Sequence, residues 1–436
     1  MKKYNTSPIS GMQELLPNLQ LEFDHLKHGI ARAFRSHGFQ TIETPTIERT
    51  DILLAKAGGD TEKQIYKVVK TAESASDADQ ALRFDHTVPL ARYVVEHMND
   101  LAFPFKVSQI GRNFRGERAQ KGRFREFYQC DVDVIGWQSL PLAYDAEVIA
   151  TLVDAIRVFP IRHFLVRVSN RKLLSGLLSS LGLQAQSSEI FNITDHAEKV
   201  PPEATTSALA ALGLTDVQVS CLSDFIKISG PRTEVVPQLR AFPCSDPAFQ
   251  QGIDELDEVL TLLSPKSDDT FQIVADMLIV RGLDYYTGTV FETVAPDYRS
   301  IGSICSGGRY ENLAQHYTDQ PLPGVGGSIG LTRLFSVLTD QHLVQASATK
   351  PVDICIIPIA PSEYSTAEKV AAQLRAQQQV TDIIFTDKKL GDKIKYASKI
   401  SQHVLIIGED EVKTGRFTIK DLDSGETNQL VLDINS

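Results

Sequence analysis

Between Gly111 and Arg125 the chain carries Arg112, Arg115, Arg118, Lys121, Arg123 and Arg125 against one anion, Glu117, although the 436-residue sequence has a formal net charge of -11. A cationic island in an acidic protein suits an anionic partner, and the planar guanidinium fork holds phosphate through paired hydrogen bonds. Directly after it, Phe127, Gln129, Asp131 and Asp133 recur at every second position. In a strand one aromatic ring, one amide and two carboxylates therefore share a face. An aromatic face accepts a purine ring, and carboxylates bind an ammonium or imidazolium. A nucleotide beside a cationic small molecule would fit that surface. The alternative is a solvated, charged hairpin tip, and polar groups repeating on a strand face that should be buried weigh against it.

Such side chains need a scaffold. The flanks FKVSQIG and FYQCDVDVIG alternate around a polar turn rich in Gly and Arg, which predicts a long antiparallel hairpin. Upstream, Leu26, Ile30, Ala33 and Phe34 stand at helical spacing and Gly38 ends the pattern. The strand QTIETPTIE follows, with Pro45 assigned to a sheet edge or interface because it cannot donate to a ladder. In LRFDHTVPLARYVVEHM, Arg83, Asp85 and Thr87 alternate before a helix opened by Pro89. A carboxylate and a hydroxyl on one side suit an ammonium.

Beyond the hairpin, Val148, Ile149, Leu152, Val153 and Ile156 mark a helix lying on the sheet, followed by the strand HFLVRVSN. Residues 170–260 change to Ala/Ser/Leu-rich helical pieces, with turns at Pro201-Pro202 and Gly230-Pro231, and are expected as an inserted helical domain. The sheet resumes at FQIVADMLIVRGLDYYTGTVFETVA, where Arg281, Tyr285 and Tyr286 interrupt a strand beside glycines that permit close backbone approach. SICSGGRYENL then supplies Gly307, Gly308 and Tyr310, and PGVGGSIGLTRL sets Gly324, Gly326, Gly327 and Gly330 before a helix bearing Arg333. After the linker, alternating strands and helices from Val352 onward imply a small mixed α/β sheet, with Lys388, Lys389, Lys393, Lys395 and Lys399 as either an electrostatic footprint for RNA or an ordinary solvated helix face.

Composition narrows the class. With 42% hydrophobic residues the chain is long enough for two or three cored domains. No apolar leader and no run of about eighteen apolar residues occurs, so a cytoplasmic protein without a membrane partner is expected. Cys130, Cys221, Cys244, Cys305 and Cys355 are widely spaced, and neither they nor the histidines form a metal-ligand pattern. Acidic net charge excludes indiscriminate nucleic-acid binding and leaves room for a local basic groove on one folded RNA.

Phe114, Arg115, Glu117, Arg123 and Phe127 resemble motif 2 of the class II aminoacyl-tRNA synthetases, FR-x-E followed by R-x-x-x-F. The strings FREFYQCDVDVIG, RGLDYYTGTVFE and SICSGGRYENL resemble the histidyl-tRNA synthetase branch, and PGVGGSIGLTRL resembles motif 3. The helix, strand and Pro45 near the start resemble motif 1, which builds the dimer interface in that family.

The resemblance implies an α/β (α+β) chain: an antiparallel-sheet catalytic core at 1–169 and 261–340, a helical insertion at 170–260, a linker at 341–351 and an anticodon-binding domain at 352–436. It implies ATP with Mg²⁺, L-histidine and tRNA(His) as partners, and a homodimer. Arg115 and Arg281 would flank the α-phosphate and Arg333 the γ-phosphate, as the catalytic cations. Phe127 would lie under adenine, and Glu117 and Arg123 would complete the ATP site. Asp85, His86, Thr87, Arg115, Gln129, Asp133, Arg281, Tyr285, Tyr286 and Tyr310 would surround histidine, His86 by its backbone alone. His86 and Thr332 depart from the family pattern, which more often has an apolar residue or glycine, and an acid, at these positions. The competing reading is a non-catalytic, histidine-sensing regulatory subunit of histidine biosynthesis.

Overall fold

The computed structural model describes residues 4–54, 62–71, 78–118, 122–280, 286–311, 314–345 and 350–431. The chain divides into two compact units, Met1–Glu14 with Leu26–Val344, and Leu15–His25 with Gln345–Ser436.

The first unit is built on a nine-stranded sheet whose spatial order is Gln40–Thr41, Phe105–Phe114, Glu126–Ile135, Gly324–Ile329, Ser303–Tyr310, Thr289–Val294, Phe164–Asn170, Phe271–Asp276 and Ser229–Gly230. From Phe105–Phe114 to Phe164–Asn170 every pairing is antiparallel. Gln40–Thr41 joins Phe105–Phe114 and Phe271–Asp276 joins Phe164–Asn170 in parallel, while the edge strand Ser229–Gly230 is antiparallel to Phe271–Asp276. The expected antiparallel sheet is thus the motif-bearing middle of a mixed one. Parallel neighbours need a crossover connection, and in both cases long intervening segments supply it.

Two local expectations change. QTIETPTIE is two short strands, Gln40–Thr41 and Ile47–Arg49, in different sheets. Pro45 lies in the gap, where its missing N–H interrupts no ladder. The helix Thr87–Glu96 begins two residues before Pro89, whose absent N–H is one that a first helical turn leaves unpaired anyway. The first helix, Pro17–Ser36, buries Ile30 and Phe34 completely, and Gly38 follows it at φ 79°.

Helix Ala143–Ile156 buries the five apolar residues read from its periodicity. It packs on Gly324–Ile329, where the bare Cα of Gly327 admits the ends of Leu152 and Phe291. Between the strands Phe164–Asn170 and Phe271–Asp276 lie the helices Arg171–Ser180, Ser187–His196, Pro202–Ala211, Asp216–Phe225, Arg232–Arg240 and Pro247–Leu263. Pro247–Leu263 packs on Arg171–Ser180 through Gly176 and Gly252 and also meets Ala143–Ile156, so this helical region shares the first unit with the sheet.

In the second unit the sheet order is Thr381–Ile383, Val352–Pro358, Ser401–Ile407, Arg416–Asp421 and Thr427–Val431. Its first three strands are parallel, and the last two form an antiparallel hairpin. Within Val352–Pro358 the run 354–357 is apolar throughout because both faces are covered: Ile354 and Ile356 meet Val370 and Leu374, while Cys355 and Ile357 meet Ala397 and Val404. Lys393 leaves the expected basic cluster, since it is 3% exposed and its Nζ donates to Pro358 O at 2.8 Å. Lys388, Lys389, Lys395 and Lys399 are exposed. Among the described residues no helix is long and apolar enough to cross a membrane.

Candidate active site

Strand Glu126–Ile135 lies inside the sheet, with Asp133 opposite Val107 on one side and Gly326 on the other, and Asp131 between Gln109 and Ser328. Its alternate residues Gln129, Asp131 and Asp133 line a cavity of about 330 Å³ with Asp85, Thr87, Arg115, Tyr286, Ser306, Tyr310, Gly326, Gly327 and Ser328. The sequence alternation is therefore the shape of a cavity wall.

Buried and half-buried hydrogen bonds fix the wall. Tyr310 OH donates to Asp133 Oδ1 at 2.9 Å. Asn113 Nδ2 donates to Gln129 Oε1 at 2.7 Å, and Gln129 Nε2 donates to Ser328 Oγ at 2.7 Å. Val88 N–H donates to Asp85 Oδ1 at 2.9 Å. Burial, reinforced by the Asp131 charge and opposed by the Tyr310 hydrogen bond, pushes the Asp133 carboxyl up to about 7. Burial also raises Asp85, with Arg115 and the Val88 N–H pulling the other way. Tyr286 is pushed well above the usual phenol range by burial and then by Asp133, Asp131 and Asp85, so it stays a phenol.

The glycines of PGVGGSIGLTRL sit mostly in the strand Gly324–Ile329 rather than in a turn, and Gly330 alone caps the following helix. Their purpose is room. A Cβ on Gly326 would overlap the Asp133 carboxylate, and one on Gly324 the Tyr310 ring.

A second cavity, of about 350 Å³, adjoins the first through shared Arg115, Gln129, Ser306 and Ser328 and is walled by Glu117, Arg123, Phe127, Ser303, Gly330 and Arg333. The Arg115 guanidinium lies 5.0 Å over the Phe127 ring and 4.4 Å over Phe84, and its Nε donates to Phe84 O at 3.3 Å. Arg123 pairs with Glu117 at 3.2 Å. Thr332 Oγ1 accepts from Tyr128 N–H at 2.8 Å and so ties the helix of Arg333, Leu331–Asp340, to the central strand.

Sequence alternation did not separate binding residues from girders. Arg83, read in line with Asp85 and Thr87, is 2% exposed and donates to Arg112 O at 2.8 Å and Thr44 O at 2.6 Å. Arg112 pairs with Glu126 at 3.0 Å, and Arg125 donates to Glu117 O at 3.0 Å. His86, expected to line the pocket by its backbone, is absent from the cavity wall, and its ring instead contacts Asp131. Asp131, Ser306 and Ser328 line the cavity without having been assigned to a ligand; for Asp131 the alternation was the available signal. Arg281 and Tyr285, like Lys121, lie outside the described residues. A cavity of about 570 Å³ between 138–140 and 314–323 has none of the candidate residues on its wall.

The histidyl-tRNA synthetase family profile matches residues 11–334, and an anticodon binding domain profile matches residues 353–434. The chain belongs to the histidyl-tRNA synthetase family. The histidine–tRNA ligase of Clostridium tetani is 41% identical over 438 residues, covering 99% of this chain and 98% of that protein. The crystal structure of histidyl-tRNA synthetase from Nostoc sp. PCC 7120 superposes with a TM-score of 0.87 at 36% identity, over 98% of this chain and 97% of that one. The ATP phosphoribosyltransferase regulatory subunit/histidyl-tRNA synthetase of Bacillus halodurans shares the fold, with a TM-score of 0.77 at 21% identity over 93% of this chain and 99% of that one. The first profile spans the segments carrying the motifs and both cavities.

Proposed function

We propose that this chain is a histidine–tRNA ligase that activates L-histidine with ATP to histidyl-adenylate and pyrophosphate, then passes the histidyl group to the 3′-terminal ribose of tRNA(His), releasing AMP. The observation that carries the reading is the adjoining pair of cavities, one walled by carboxylates and tyrosines and the other by arginines and Phe127, with Arg115 on both walls.

In the first step the histidine carboxylate attacks the α-phosphorus and pyrophosphate leaves. Two anions must approach, so a fixed cation at their meeting point matters most, and Arg115 stands at that junction. Arg281 joins it at the α-phosphate, Arg333 holds the γ-phosphate, and Phe127 takes the adenine, with Glu117 and Arg123 beside it. Asp85 and Thr87 receive the ammonium; Gln129, Asp133, Tyr285, Tyr286 and Tyr310 surround the rest of histidine. Mg²⁺ enters with ATP as part of the substrate, on phosphate oxygens.

The second α/β unit, 352–436, holds tRNA, and 170–260 serves as the helical insertion between core segments 1–169 and 261–340, with 341–351 as linker. The active species is a cytoplasmic homodimer. Arg115, Arg333 and the anticodon-domain match favour the ligase over a histidine-sensing regulatory subunit, which has no need of ATP-directed cations or an RNA domain. Exchange of labelled pyrophosphate into ATP, run with each of the twenty amino acids, tests this. Histidine alone should support strong exchange, because a site built to bond both ring nitrogens rejects analogues that leave its own groups unpaired. Equal exchange with several amino acids, or none with histidine, rejects it.

A further inference from the structure

His86 and Asp131 form a buried pair, Asp131 on the wall of the acidic cavity and His86 off it. They are 1% and 5% exposed, and His86 Nδ1 lies 2.8 Å from Asp131 Oδ2. An ionised carboxylate only accepts, so the imidazole donates through Nδ1. Across the ring, Nε2 is buried without a hydrogen-bond partner among the described residues and faces Gly111, where an added Cβ would stand 3.1 Å from it and would also crowd the Arg83 guanidinium. The imidazole is held between the bare Cα of Gly111 and the carboxylate.

Asp131 keeps its other oxygen in reserve. Oδ1 is buried and has no hydrogen-bond partner among the described residues, yet Asp131 lies on the cavity wall with Asp85, Asp133, Tyr286 and Arg115. A buried carboxylate oxygen without a donor is costly unless a ligand supplies one.

We propose that His86 is a positioning residue for the amino-acid substrate: it orients the Asp131 carboxylate so that Oδ1 accepts an N–H of the bound amino acid. The inference rests on the histidine-activating reading and adds to it a specificity element made of one departure from the family pattern and one carboxylate that alternation alone left without a role. Asp131 touches substrate; His86 acts through Asp131.

Three variants of the full chain test this: His86→Leu, His86→Asn and Asp131→Asn, each followed by pyrophosphate exchange with separate KM values for histidine and ATP, and by thermal melting. His86→Leu should raise the histidine KM about tenfold or more while the ATP KM stays within about twofold, since a hydrogen-bonding site pays for a misplaced acceptor only at the ligand it reads. Asparagine offers an N–H near the place of Nδ1, so His86→Asn should recover histidine KM to within about threefold of wild type. Asp131→Asn should lose at least as much as His86→Leu, and it carries the same expectation if the leucine variant folds poorly.

Histamine, which lacks the carboxylate, and imidazolepropionate, which lacks the ammonium, serve as competitive inhibitors. Weakened binding of histamine alone in Asp131→Asn assigns the N–H to the ammonium, and equal weakening of both assigns it to the ring. A lower melting temperature with unchanged histidine KM, a parallel rise in ATP KM, no recovery by asparagine, or no weakening of either inhibitor overturns the proposal. Wild-type exchange separates the two failures: without it the activating reading falls, and with it only the role of His86 and Asp131 does.

Discussion

The acidic and cationic cavities share Arg115 and Gln129 but are held in opposite ways. In the acidic one the functional groups are buried or half-buried and interlocked: Tyr310 on Asp133, His86 on Asp131, and Asn113 through the half-buried Gln129 to Ser328. In the cationic one the Arg123–Glu117 pair is 57% and 24% exposed. The first is preorganised by dehydration, which shifts its acids and demands partners. The second is a charged surface whose members remain hydrated, and where each pair contributes little to folding. A small polar ligand is read by the first design, whereas a polyphosphate needs chiefly positive charge and reach.

Arg115 is where this contrast breaks down, so its loss should have the largest effect. Arg115→Ala should lower histidine-dependent exchange on the order of a hundredfold or more, because one cation aimed at the reacting phosphate is removed from both walls. Steady-state kinetics with circular dichroism as a folding control checks it, and a change of only a few-fold would place the critical charge elsewhere.

Asp133 sharpens the comparison through pH. Its folded value of about 7 lies above the ordinary 3.8, so between these values the folded chain keeps a proton that the unfolded chain has released. The stability this group contributes therefore falls as pH rises from 3.8 to about 7 and levels above it. As the carboxylate forms, the cavity gains an acceptor, and kcat/KM for histidine should rise with an inflection near 7. Asp133→Asn should flatten both profiles and raise histidine KM roughly tenfold or more. Melting curves and exchange kinetics across pH read the two effects separately, and an unchanged inflection would assign it to another group.

The exposed pair should yield the smallest change. Arg123→Ala should alter folding stability by less than about 1 kcal/mol, as expected for an exposed ion pair, while raising the KM for ATP and leaving that for histidine unchanged. Denaturant titration and the two KM values test it. A large loss of stability would show that the cationic wall is as interlocked as the acidic one.

Much of this was legible in the chain because strand alternation is a local property. Phe127, Gln129, Asp131 and Asp133 had to share a face once the hairpin formed, and the apolar run 354–357 within Val352–Pro358 had to be covered on both sides. Pro45 reads as an edge or interface residue within one strand, and only the tertiary pairing shows that it lies between two strands of different sheets. Alternation also gave Arg83 and Asp85 the same apparent standing, and only packing made one a buried tie to Thr44 and the other a cavity residue.

The sequence by itself determined the hairpin, the spacing of its polar face, the α/β order of the second unit and the motifs that carry the family resemblance. Those depend on backbone periodicity and on residues near one another along the chain. Tertiary structure alone decided that His86 meets Asp131 forty-five positions away, that Tyr310 reaches Asp133, and that Gly324 and Gly326 are bare to make room for them. A side chain's period sets the direction in which it points; what it meets there, and how far water is excluded, is set by strands brought alongside it from elsewhere in the chain.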